Sequence, residues 1–308
     1  MTDDGSEFGG SMRAVQLHEA GDPASLTLER IPIPTLSGGE VLVRVIAAAI
    51  TKDELGWPED RLPATPSWEV SGVVDATAPD VTGFAVGDGV YALTTSGAAA
   101  DFVVVPVGIL APKPTVLGHA GSAAVPMAGL TSWQALIDQG ELEEGQRVLI
   151  LGATGGVGHI TTQLARSRGA TVVGTASSED ADRARGFGAH EVVDRNTALE
   201  DTVAPVDLII DTVGGDAATR SVSVLRPGGR FVSVAEEPAA EVTDRFRATY
   251  FVVEPDGAQL VELAGLVDEG ELRPEIDSRF PLSEARAAFE RVQATGKRGK
   301  VVLDVGDE

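Results

Sequence analysis

The chain has 308 residues, with 47 acidic against 24 basic side chains, a formal net charge of −23 and no cysteine. Without thiols there is no disulfide, thiolate zinc site, iron–sulfur cluster or cysteine nucleophile, and the negative charge argues against nucleic acid or an anionic membrane as a partner. The length suggests two domains; no apolar run approaches a membrane span and no signal-peptide pattern appears, so a cytoplasmic protein is expected.

Residues 1–11, MTDDGSEFGGS, carry no pattern and read as a disordered leader or tag, with Met12 as the native start. From Met12 to about Val107 the runs VLVRVIAAAI, WEVSGVVDAT, GVYALTT and ADFVVVPV are short, valine-rich and broken by Gly, Pro and Asp turns, which predicts a β-rich domain. Residues 120–140 read as helical apart from Pro126, with Gly140 as the stop.

The stretch from Arg147 to Ser178 organises the rest. Val148 to Leu151 is an apolar run of the kind expected of a strand buried on both faces. Gly152, Gly155, Gly156 and Gly158 supply a turn, Ile160, Gln163, Leu164 and Ser167 continue at helical spacing, and Ala170 to Ala176 is a second strand. Ala153, Gly155 and Gly158 are spaced as the dinucleotide fingerprint, with alanine in the first place. Small residues there let backbone approach a pyrophosphate, and the helix start turns its N–H groups toward the charge. Ala153, Gly155, Gly156, Val157 and Gly158 are therefore candidate cofactor contacts.

The position nineteen past Gly158 selects the nucleotide. It holds Ser177, followed by Ser178, where an NAD-binding unit usually has an acid for the ribose hydroxyls. A hydroxyl can donate to a 2′-phosphate that a carboxylate would repel, which favours NADPH; Arg183 or Arg195 could supply the cation. Glu179 and Asp180 follow directly, and if they faced the ribose they would favour NADH. Strand and helix signals then alternate through VDLIIDTVGG, TRSVSVLRPGG, RFVSVAE and ATYFVVEP, as in a doubly wound parallel sheet. From Asp256 come two amphipathic helices, the second with Ser283 as its N-cap, and a last strand, GKVVLDV, which should return to the β-rich domain.

The combination of GFAVGDGVYAL, AAVPMAGLTSWQAL, GATGGVG, DTVGG, LRPGGRFVSV and TGKRGKVVLDV resembles the medium-chain dehydrogenase/reductase superfamily, in its zinc-free quinone oxidoreductase branch. The resemblance implies an α/β fold in which a Rossmann doubly wound parallel sheet (122–253) is inserted in a GroES-like β-rich catalytic domain (12–121 and 254–308), usually in a homodimer. It also places Thr51 and Ser67-Trp68-Glu69 where zinc relatives carry a Cys and a Gly-His-Glu motif, so thiol and imidazole are both missing and no metal is expected.

Without a metal, the implied chemistry is hydride transfer to an electrophilic acceptor, a quinone or an α,β-unsaturated carbonyl, with the protein supplying orientation and a hydrogen-bond donor. Thr51, Trp57 and Trp68 are the candidate substrate-positioning residues. Thr51 and Lys52 stand where quinone reductases of the family usually have Asn and Pro. By resemblance Lys52 and Lys300 face the cofactor pyrophosphate, Thr131 the nicotinamide phosphate and Val213 and Gly214 the ribose, while Phe251 and Val253 on a strand pack on the nicotinamide. Two other functions share these motifs: an enoyl-thioester or natural-product enone reductase, and a non-catalytic NADPH-binding sensor.

Overall fold

The structure is a computed structural model that describes residues 10–52, 54–56, 61–95 and 97–307. The chain divides into two compact units, the first comprising Met1–Pro126, Pro255–Gly265 and Glu275–Glu308, the second Met127–Glu254 and Leu266–Pro274.

In the first unit β1 (Ser11–Leu17) and β2 (Leu26–Pro32) form an antiparallel pair. Ser11 thus already lies in a strand, opposite Pro32, so the patternless segment does not extend through residue 11. There follow β3 (Glu40–Ile50), β4 (Glu69–Thr77), β5 (Gly89–Leu93), β6 (Phe102–Pro106), β7 (Leu110–Pro112) and α1 (His119–Ala123).

In place of one helical stretch interrupted at Pro126, the second unit's α2 (Pro126–Trp133) begins at that proline, whose missing N–H costs nothing in a first turn. Next come β8 (Arg147–Leu151), α3 (Gly158–Ser167), β9 (Thr171–Ala176), α4 (Ala181–Gly186) and β10 (Glu191–Asp194). The second half holds β11 (Val206–Asp211), α5 (Gly215–Ser221), β12 (Leu225–Ser233), α6 (Ala240–Thr243) and β13 (Arg247–Tyr250). The chain closes with α7 (Gly257–Asp268), β14 (Ile276–Pro281), α8 (Ala285–Gln293) and β15 (Lys300–Asp304).

The second unit is a parallel sheet in the order β10-β9-β8-β11-β12-β13, the doubly wound arrangement. Leu149, Leu151, Ile209 and Phe231 are buried with Ala218 and Val242 of the covering helices, which is why the central strands read as unbroken apolar runs. In the first unit the order is β14-β15-β3-β4-β5-β7, with β6 also on β3. The last strand does return to the β-rich domain: β15 lies antiparallel to β3 with Val301 opposite Ile50. Helix α8 covers this sheet through Ala285, Ala288, Phe289 and Val292.

The unit boundaries differ from those read in the sequence for physical reasons. Helix α1 stays with the first unit because Ala120, Ala123 and Ala124 pack on Ala47, Ala49 and Val302. Residues 266–274 go to the second, where the Gln163 side chain takes the Arg273 N–H at 3.1 Å and donates to its carbonyl at 3.1 Å.

Two further details differ from expectation. Strand β13 ends at Tyr250, opposite Ser233, the last residue of β12, so Phe251 and Val253 lie beyond the ladder and not on a strand. Ser283 sits inside a 3₁₀ turn (Leu282–Glu284) that leads into α8, and Glu284 takes the cap position in its place.

Candidate active site: a glycine turn and a buried polar cluster

The turn between β8 and α3 has the form a phosphate cradle requires. Gly152 has φ +78°, and a Cβ on Gly158 would lie 2.0 Å from the Gly152 carbonyl oxygen, inside any tolerable contact. The fingerprint residues divide by role. Ala153 is wholly buried and its N–H is spent on the Thr175 carbonyl at 2.9 Å, so its part is packing against β9. The Gly155 N–H bonds to Gly152 O at 2.9 Å, while among the described residues the N–H groups of Gly156 and Val157 take no carbonyl and stay open to an anion at the helix start. His159, buried and tilted against the Phe187 ring, closes the turn through its Nδ1 on the Gly155 carbonyl at 2.9 Å. The turn therefore fits a dinucleotide pyrophosphate.

At the end of β9 the geometry around Ser177 corrects the simple reading. Its hydroxyl donates to Asp180 Oδ2 at 3.1 Å, and Arg183 pairs with the other oxygen of the same carboxylate at 3.0 Å. The serine and the arginine expected at a 2′-phosphate are thus both held by one acid. Ser178 is exposed, and Arg195 is exposed with its backbone N–H on the Ala176 carbonyl, beside the end of β9. Val213 is 56% exposed and Gly214 has φ +78°; both their N–H groups bond to the buried Asp211 carboxylate at 2.9 Å. Thr131 is buried in α2, next to Ser132, which ties α2 to α3 through Thr161 at 2.8 Å.

In the first unit the ends of β15, β3 and β4 gather a second set. The register that puts Val301 opposite Ile50 and Glu69 opposite Ala49 brings Lys300, Thr51 and Glu69 together. Lys300 forms an ion pair with Glu69 and donates to Thr51 Oγ1 at 3.0 Å; Thr51 Oγ1 faces the same Glu69 oxygen at 3.4 Å. Lys300 and Glu69 are only 5% and 0% exposed, so Lys300 is not the free pyrophosphate cation the resemblance implied: its charge is committed to a buried carboxylate. Lys297, with its ammonium depressed mainly by burial, donates to the Gly299 carbonyl at 3.2 Å. Lys52 is exposed in the turn after β3, Trp68 is half-buried, and Trp57 lies outside the described residues.

Sequence reasoning missed Glu54. Its carboxylate is 2% exposed and accepts the N–H groups of Thr51 at 3.0 Å and Ser67 at 3.1 Å, pinning both segments. Nothing in the local sequence distinguishes it from a surface glutamate. Ser67 itself has φ +70°, a conformation that costs about 1–3 kcal/mol unless held; the Glu54 bond and a 2.8 Å bond from its own hydroxyl to the Ala49 carbonyl hold it.

Burial pushes the Glu54 carboxyl up to about 8, with the backbone donors and Lys300 opposing and Glu69 adding to the rise. The folded protein thus binds this proton more tightly than the unfolded chain, whose carboxyl titrates near 4.5. Its contribution to stability is full below about 4.5 and is lost as pH rises through about 8. The thermal midpoint of the unchanged protein should therefore fall between pH 6 and pH 9 more steeply than that of Glu54→Gln; equal slopes by scanning calorimetry would refute this assignment.

Two family descriptions match the chain: an alcohol dehydrogenase GroES-like domain over residues 37–115 and a zinc-binding dehydrogenase over residues 187–303. A probable zinc-binding oxidoreductase of mitochondria from Arthroderma benhamiae is 33% identical, covering 91% of this chain and 93% of that protein. The chain belongs to the medium-chain dehydrogenase/reductase superfamily, as a quinone oxidoreductase-like member. The quinone oxidoreductase of Mus musculus is 30% identical over 95% of this chain and 97% of its own length. The solved quinone oxidoreductase from Coxiella burnetii superposes with a TM-score of 0.88 at 30% identity, covering 96% of this chain and all of that one.

As a member of this superfamily, the protein is an NAD(P)H-dependent oxidoreductase. Zinc does not fit the described residues. Among the described residues no group of three His, Cys, Asp or Glu could hold a metal, and the Glu69 carboxylate is already paired with the Lys300 ammonium. Among the described residues, too, no helix is long and apolar enough to cross a membrane.

Proposed function

We propose that this oxidoreductase is a zinc-independent, NADPH-dependent reductase that also accepts NADH and delivers hydride to a quinone or an α,β-unsaturated carbonyl. The observation that carries it is the buried Lys300–Glu69 pair next to Thr51, a cation beside a hydroxyl able to donate to a developing oxyanion. Bound reduced nicotinamide supplies the hydride, and the open N–H groups of Gly156 and Val157 would hold its pyrophosphate. Thr51 orients the acceptor oxygen, with Trp68 as a flat apolar surface beside it. Thr131, Val213 and Gly214 line the nicotinamide half of the cofactor in this reading, and Lys52 serves the phosphates.

For the nucleotide, Ser177 supports NADPH while Asp180 moderates the preference by neutralising Arg183. Removing that acid in Asp180→Ala should free both groups for the 2′-phosphate and raise the NADPH-over-NADH ratio of kcat/KM about tenfold, the effect of one modest charge interaction. A fall in the ratio would mean that Asp180 does not face the adenosine ribose.

Oxidation of NADPH and NADH, followed by nicotinamide absorbance with an ortho-quinone and a 2-alkenal, tests the whole reading. Silence with both acceptors despite measurable binding would move it to a thioester substrate or a sensor. We further propose a homodimer formed through edge strands of the parallel sheet, where Tyr250 at the end of β13 and Val252 just past it stand exposed. A light-scattering mass of one chain would exclude it.

A further inference from the structure

Lysine is scarce in this chain: Lys52, Lys113, Lys297 and Lys300 are the only four, and so the only side-chain primary amines able to form an imine. The fold treats them differently. Lys300 is buried and paired with Glu69, and Lys113 donates to the carbonyls of Pro114 at 3.1 Å and Leu117 at 2.5 Å, so neither nitrogen is free to attack. Lys52 stands exposed to water. Lys297 is half-buried in the turn between α8 and β15, and among the described residues its one hydrogen bond goes to the Gly299 carbonyl at 3.2 Å.

The acids around Lys297 are already committed. Asp277 on β14 holds the Arg291 guanidinium of α8 through two bonds of 2.7 Å and the Arg298 N–H at 2.8 Å, and Glu69 on β4 holds Lys300. Lys297 is thus an amine with no carboxylate of its own. Burial depresses its ammonium most and the Lys300 charge adds to the fall, while Asp277 and Glu69 oppose it and Arg291 adds a little more. Because Lys300 and Glu69 largely neutralise each other, burial decides the direction. A desolvated ammonium beside other cations is the arrangement that frees a lysine nitrogen as a nucleophile.

We propose that Lys297 is a covalent carbonyl-binding site that takes small aldehydes as imines. It stands or falls independently of the reductase reading above. Attack by the nitrogen lone pair forms the C–N bond and moves the carbonyl π pair onto oxygen. One N–H proton passes to that oxygen, the second leaves with the hydroxyl as water, and the nitrogen pair closes the C=N bond. Nothing is oxidised or reduced, so no co-reactant is required, and addition of water returns the amine and the aldehyde.

The test treats the full chain at about pH 7 with propanal and cyanoborohydride, which reduces the imine to a stable amine, and follows labelling at each lysine by peptide mass spectrometry. Lys297 is expected to label at least about fivefold faster than the exposed Lys52, and its rate to level off at a lower pH. In the chain unfolded by guanidinium chloride the two rates should converge, since the difference belongs to the fold. Lys297→Arg should remove the fast label and leave the rates at Lys52 and Lys113 unchanged. A Lys297 rate equal to or below that of Lys52 in the folded chain overturns the proposal. So do parallel pH profiles at the two lysines, or a difference that survives unfolding.

Discussion

Gly158→Ala is expected to cost the second unit about 3 kcal/mol or more and to abolish measurable dinucleotide binding. Backbone, not a movable side chain, surrounds the site: the added methyl would meet Gly152 O at 2.0 Å, Gly152 C at 2.8 Å and the Ala153 Cα at 3.2 Å. Overpacking of one methyl group in a well-packed interior costs about 1–3 kcal/mol when side chains can yield. Here the yielding group is the turn itself, so relief comes only by opening the Gly152–Gly155 bond and displacing the Gly156 and Val157 N–H groups. Thermal unfolding measures the first effect and calorimetric titration with NADPH the second. A variant that binds NADPH as the unchanged protein does would show that the turn is not the pyrophosphate site.

Lys300→Met is expected to destabilise the first unit by about 3–5 kcal/mol, the usual result of leaving one partner of a buried ion pair uncompensated. Glu69 loses the ammonium that balances its charge, and it is wholly buried at the start of β4. The sign reverses on removing both charges. In Lys300→Met with Glu69→Leu the loss should shrink to within about 1–2 kcal/mol of the unchanged protein, because the desolvation of both ions is then avoided. Chemical denaturation of the two single variants and the double completes the cycle. Additive effects of the single changes would show that the pair is not coupled.

Much of the fold was legible because it is written in local patterns. The apolar run Val148–Leu151, the small residues of the turn and the helical spacing from Ile160 to Ser167 each reflect one element's own geometry, and the parallel order around β8 follows from alternating strands and helices. The return of β15 to the first unit was legible from its place after two helices, but β14, which lies between those helices and pairs parallel with β15, was not. Phe251 and Val253 misled because alternation persists beyond the point where the partner strand stops. Residue pattern cannot show where β12 runs out.

The candidate site divides along the same line. The glycine turn, the hydroxyl at Ser177 and the absence of thiol and imidazole at Thr51 and Ser67-Trp68 are properties of residue type at known spacing, and together with the motifs around them they made the family legible from the sequence alone. The partners of each charge were decided only by the tertiary structure. Glu54 reaches Ser67 across 13 positions, and Lys300 reaches Thr51 across 249. Such pairings follow from sheet register and burial, which bring together side chains remote in sequence and exclude the water that would otherwise screen them.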